Sequence, residues 1–118
     1  MGKKTQENKY SRLTIKASTT DKIGSKLLYQ HLVEKAKESG ISGATVFRGI
    51  MGYGTSSKIH SSRFWELTEK LPVIIELVDK TKKLEDFYRE IEADLIKMPK
   101  GCLVTLEPTR ILLQKKGK

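Results

Sequence analysis

The stretch Gly49-Ile50-Met51-Gly52-Tyr53-Gly54-Thr55-Ser56-Ser57-Lys58 is the part of the chain best suited to chemistry. Three glycines in six residues let backbone N–H groups turn toward a ligand without Cβ obstruction. From Arg48 to Arg63 the chain also carries Lys58 and His60, and no acid. That composition suits an anionic ligand such as a phosphate. Two phosphate-binding patterns fail here. Gly49 and Gly54 have P-loop spacing, but Thr55 stands where that motif needs lysine. Gly-x-x-Gly-x-Gly also reverses the dinucleotide fingerprint. The competing reading is a flexible loop root that simply needs glycine.

Other reactive side chains point to bland roles. His31 lies mid-helix beside Leu32 and reads as a surface or boundary residue. Cys102, next to Leu103 and Val104, reads as a buried small hydrophobe. Phe64 and Trp65 read as core or interface. One cysteine and two histidines, His31 and His60, cannot fill a structural zinc site within one chain. No nucleophile–base pair and no carboxylate pair is legible, so the expectation is a protein without catalysis.

These residues need elements to position them. Arg12–Ser18 alternates strictly, with Leu13, Ile15 and Ala17 on one face, which predicts a strand. Ser18–Asp21 supplies capping candidates for a helix carrying Ile23, Leu27, Leu28, Leu32, Val33 and Ala36, ended by Gly40. Residues 43–50 read as a second strand, and 51–62 as a long exposed loop, with 64–67 re-entering the fold. Leu71–Val78 is apolar on both faces and should be a central strand covered on both sides. Leu84, Phe87, Tyr88, Ile91, Leu95 and Met98 line one face of a second helix, with Thr81 as cap and Pro99 and Gly101 as stops. Cys102–Leu106 and Ile111–Leu113 make a last strand region, broken at Pro108. The order β-α-β-β-α-β predicts an α+β, ferredoxin-like sandwich with a four-stranded antiparallel sheet. Two helices cover one face of that sheet. The other face should be apolar and covered by an oligomer.

The chain has 118 residues, enough for one domain, with 37% hydrophobic and 31% charged residues. No apolar run approaches the ~18–20 residues of a membrane helix, and no stretch resembles a signal peptide, so the expectation is a cytoplasmic protein without membrane insertion. The net charge is +9. Residues 1–12 hold +3 of it and 110–118 hold +4. The division expected is a basic tail over 1–11, a domain over 12–113 with its loop at 52–63, and a basic tail over 114–118. Basic tails suit solubility, and also nucleic acid, which is the alternative function. The first and third strands as read, Arg12–Ser18 and Leu71–Val78, carry no aromatic residue. The usual base-stacking surface of a ferredoxin-like RNA binder is thus missing.

Residues 43–54, then Ser57–Arg63 and Leu71–Glu76, resemble the PII-like signalling proteins, in a small uncharacterised branch. The resemblance spans roughly residues 12–113. It implies a ferredoxin-like homotrimer binding an adenine nucleotide (ATP, ADP or AMP) in clefts between subunits, with no cofactor required. It further implies a long loop after the second strand that contacts a protein target, a transporter or an enzyme. Carried over by position, Arg48, Gly49, Gly52 and Gly54 form the loop root, with Tyr53 in it. Lys58, His60 and Arg63 complete the basic run. Asp79 and Lys80 border the cleft, and Arg110 resembles a basic residue given by a neighbouring chain. The implied mechanism is a population shift, in which nucleotide favours one arrangement of residues 52–63.

Overall fold

Alternation at the start of the chain builds the middle of a sheet. In the computed structural model, which describes residues 9–54, 60–61 and 70–117, β1 (Tyr10–Ser18) buries Leu13 and Ile15 and exposes Arg12 and Lys16. The outer strands are β4 (Ala44–Arg48) and β8 (Leu103–Thr109), and the second inner strand is β7 (Pro72–Lys80). They run in the order β4-β7-β1-β8, all antiparallel. Helices α1 (Leu28–Glu38) and α2 (Thr81–Lys97) pack on one face. This is the ferredoxin-like α+β arrangement. The core joins Leu13, Ile15, Val73, Ile75 and Leu77 of the sheet to Leu28, Leu32, Ala36, Leu84, Phe87, Ile91 and Leu95 of the helices.

The end of α1 follows its sequence signal. Gly40, at φ +80°, donates to the Lys37 carbonyl, and Ile41 N–H reaches back to Ala36, which closes the last turn. Its start does not. Residues Lys22–Leu27, expected as its first turns, form a hairpin of β2 (Lys22–Ile23) and β3 (Lys26–Leu27). Gly24, at φ +63°, makes the left-handed turn a helix cannot accommodate. Asp21 is no helix cap. Its carboxylate accepts the Ser18 N–H at 2.9 Å, and its carbonyl accepts Leu28 N–H at 2.8 Å. Thr81 is likewise the first residue of α2 rather than its cap; its N–H donates to the Lys9 carbonyl at 2.7 Å.

β8 runs unbroken through Pro108, which sits opposite Ser11. An outermost strand tolerates proline because every second N–H faces solvent. Ile111–Leu113 follows β8 outside any strand. The long segment after β4 is also not wholly irregular: β5 (Met51–Gly52) pairs with β6 (His60–Ser61). Residues 55–59 and 62–69, with Lys58, Arg63, Phe64 and Trp65, lie outside the described residues.

β7 is central as expected, but the helices cover only one of its faces. Val73, Ile75 and Leu77 are buried, while Ile74 and Val78 are half-buried on the open side. Register places Phe47, Ile74 and Leu103 in one row of that side, with Lys16 among them. Thr45, Glu76, Thr14 and Thr105 form the next row. The open face is therefore mixed rather than apolar, because the outward positions of β1 and β8 are mostly polar. It also carries aromatics at Phe47 and Tyr10.

Candidate functional site

Arg48 ends β4 opposite Val73, on the helix side of the sheet. Val46 shares that side. On an inner strand both would be covered; on the outermost strand they stay open, and Val46 is 37% exposed. They line a groove of about 780 Å³ with Thr19, Thr20, Lys22, Leu27, Tyr29 and Val73. The floor is apolar, the rim carries two cations and two threonines, and among the described residues no carboxylate lines it. A ligand with a flat apolar part and an anionic part matches such a surface. Sequence reasoning found Arg48 but missed Lys22, Thr19, Thr20 and Tyr29. Their signal was the Gly24-Ser25 turn, which carries Lys22 to the rim.

The loop root sits directly beside this groove. Gly49 N–H donates to the Pro72 carbonyl at 2.7 Å. A Cβ at Gly49 would lie 3.1 Å from Pro72 Cβ, and one at Gly52 would lie 3.0 Å from Pro72 Cγ. Both glycines thus allow close approach to the proline ring. Neither is among the positive-φ glycines, Gly24 and Gly40. A Cβ at Gly54 would meet no atom of the described residues within 4 Å. Tyr53 and Met51 are exposed, at 71% and 53%. His60 pairs through its backbone with Gly52.

The remaining candidates occupy the other end of the sheet. Asp79 lies six residues along β7 from Val73, roughly 20 Å at ~3.3 Å per residue. Its carboxylate is committed to the fold: it accepts Ser42 N–H at 2.9 Å and Lys80 N–H at 2.7 Å, and lies 3.7 Å from Lys83 Nζ. Lys80 and Thr109 are both register partners of Tyr10, so Arg110 follows at the same end. One chain does not bring Asp79, Lys80 or Arg110 to Arg48.

His31 Nε2 lies 3.2 Å from Asp94 Oδ2, joining α1 to α2. Cys102, expected inside, is exposed in the turn before β8. Desolvation, then the Asp21 charge, pushes its thiol pKa up. Among the described residues no group of three or more His, Cys, Asp or Glu could hold a metal, and no helix is long and apolar enough to cross a membrane.

The fold resembles that of a Thermus thermophilus protein described as PII-like signalling, at TM-score 0.62 and 17% identity, covering 85% of this chain and 86% of that one. It also resembles CPII, a nitrogen regulatory PII-like protein of Thiomonas intermedia, at TM-score 0.59 and 10% identity, covering 85% and 87%. That structure holds ADP, AMP and bicarbonate. In sequence, a UPF0166 protein of Aquifex aeolicus is 36% identical over 100 residues, 85% of this chain and 90% of that protein. A UPF0166 protein of Methanocaldococcus jannaschii is 48% identical over 59 residues, 50% of this chain and 54% of that protein. Residues 10–111 match the family DUF190, described as "Uncharacterized ACR". The chain belongs to the DUF190 (UPF0166) family.

Proposed function

We propose that the protein is a PII-like regulator that binds an adenine nucleotide in the Arg48 groove and signals through residues 52–63 to a protein target, a transporter or an enzyme. The observation that carries this reading is a groove with an apolar floor and two cations on its rim, placed against the root of the long loop. Arg48 and Lys22 take the phosphates. The base lies over Val46, Leu27 and Tyr29. β4 is outermost in its sheet, so the groove's outer side stands open in one chain and is closed by a neighbouring copy in a homotrimer. The similarity in fold to CPII, which was found with ADP and AMP, supports the ligand class. Asp79, Lys80 and Arg110 are not needed for this groove.

Titration calorimetry with ATP, ADP and AMP tests the site. A charge-assisted contact is worth on the order of 1.5–3 kcal/mol, so Arg48→Ala should weaken binding roughly 10- to 150-fold. No binding of any of the three by the unaltered protein rejects the site, and equal binding by the variant rejects the role of Arg48. Sedimentation equilibrium checks assembly: a stable monomer at micromolar concentration rejects the trimer.

A further inference from the structure

The end of the sheet away from the loop root gathers several cations from separate parts of the chain. Tyr10 is the register partner of both Lys80 and Thr109, so the ends of β7, β1 and β8 lie side by side there. The Lys9 carbonyl accepts Thr81 N–H, which fixes Lys9 at the first turn of α2. After Thr109 the chain crosses this end toward the opposite edge, where Gln114 Nε2 donates to Ser42 Oγ at 3.4 Å. Residues 110–116 hold Arg110 in the crossing and Lys115 and Lys116 just past Gln114, and no acid. Among the described acids nearby, Asp79 is engaged by backbone N–H groups, Asp86 by Lys82 and Arg89, and Glu107 by Arg12. Glu85 lines the groove between α2 and β8.

Within this basic end stand two leucines. Leu112 and Leu113 are 87% and 80% exposed, more than any other large hydrophobic residue described. Three occupants can be weighed. A nucleic acid would use the cations but leave both leucines in water. A second copy meeting this end through the same surface would cover the leucines but set like charges against each other. An anionic bilayer satisfies both features, since leucines enter the acyl boundary while lysines and arginines stay at the headgroups. We propose that this end of the molecule docks on an anionic phospholipid surface, with Leu112 and Leu113 inserted and Lys9, Arg110, Lys115 and Lys116 facing the headgroups. Association is peripheral.

The full-length protein is sedimented with phosphatidylcholine vesicles, with and without phosphatidylglycerol, at low and high salt. Binding should require phosphatidylglycerol and fade as salt rises. Lys115→Gln with Lys116→Gln should weaken it about fivefold per charge removed. Leu112→Ser with Leu113→Ser should weaken it on the order of tenfold, with the folded circular dichroism spectrum retained. The proposal is overturned if phosphatidylglycerol makes no difference, or if the leucine variant binds vesicles as well as the parent. It is equally overturned if duplex DNA binds and vesicles do not, or if the leucine variant changes subunit number, which would mean a second copy covers the leucines. Nucleotide calorimetry on the leucine variant separates this surface from the Arg48 groove, because neither leucine lines that groove.

Discussion

The contact of Gly52 with Pro72 predicts a repairable defect. In Gly52→Ala the new methyl would sit 3.0 Å from Pro72 Cγ and 3.9 Å from its Cβ. Carbon atoms rest best at about 3.5–4.0 Å, so the first distance is well inside contact and the second is not. Pro72 is the first residue of β7, and its carbonyl holds Gly49 N–H, so the strand end fixes the ring and leaves Cγ only its pucker to yield by. Overpacking of this kind costs about 1–3 kcal/mol, which lowers Tm by roughly 4–12 °C in a domain of this size. Pro72→Ala removes Cγ and keeps Cβ. The double variant Gly52→Ala/Pro72→Ala should therefore recover most of the loss. Gly49→Ala should not be rescued the same way, because its methyl would meet Pro72 Cβ at 3.1 Å, and that atom remains. Thermal or urea unfolding of the four proteins in each cycle gives the coupling energies directly. Refutation is simple to recognise: an unchanged Tm for Gly52→Ala, or equal rescue at both glycines, would show that these positions are glycine for another reason.

Asp79→Ala should cost about 1–3 kcal/mol in urea unfolding, because Ser42 N–H loses a part-buried acceptor. The same substitution should leave nucleotide affinity unchanged in calorimetry, since Asp79 serves the fold at the far end of β7. Cys102 should alkylate more slowly than a free cysteine at mildly alkaline pH. Desolvation raises its pKa, so the thiolate appears only at higher pH, and a rate–pH profile with its midpoint at or below that of the free amino acid would contradict this.

What the sequence made legible was local and periodic. The alternation of Leu13, Ile15 and Ala17, the apolar run around Val73–Leu77 and the stripe from Leu84 to Met98 each repeat a single geometry, and each sits where that geometry puts it. Residues Lys22–Leu27 misled because Ile23 and Leu27 are four apart in either arrangement. A helix would stack them, whereas the hairpin sets Ile23 against Lys26 and Leu27 against Lys22. The positive φ of Gly24 decides between the two. Pro108 misled because its meaning depends on whether its strand is inner or outer, which is a property of the whole sheet. The groove was only partly legible for the same reason. Arg48 announced itself through the glycines after it, but Lys22 and Thr19 reach it by packing across 26 and 29 residues of chain, and no spacing rule reports that.

Pro72 also bears on how a bound anion would reach the loop. It touches Gly49 and Gly52 on one side and is followed directly by Val73, which floors the groove. A ligand shifts the loop only by its difference in affinity for the two arrangements. If the Arg48 contact forms in one arrangement alone, its roughly 10- to 150-fold worth raises that arrangement from about one-tenth of molecules to between half and nine-tenths. That is enough for a switch without further contacts. Amide exchange at Gly52–Gly54 should therefore slow when nucleotide is added. In Pro72→Ala, which removes no groove-lining side chain, nucleotide should bind with near-parental affinity while this slowing largely disappears. Full slowing in the variant would place the connection elsewhere, and an affinity loss as large as that of Arg48→Ala would mean that Pro72 shapes the groove rather than linking it to the loop.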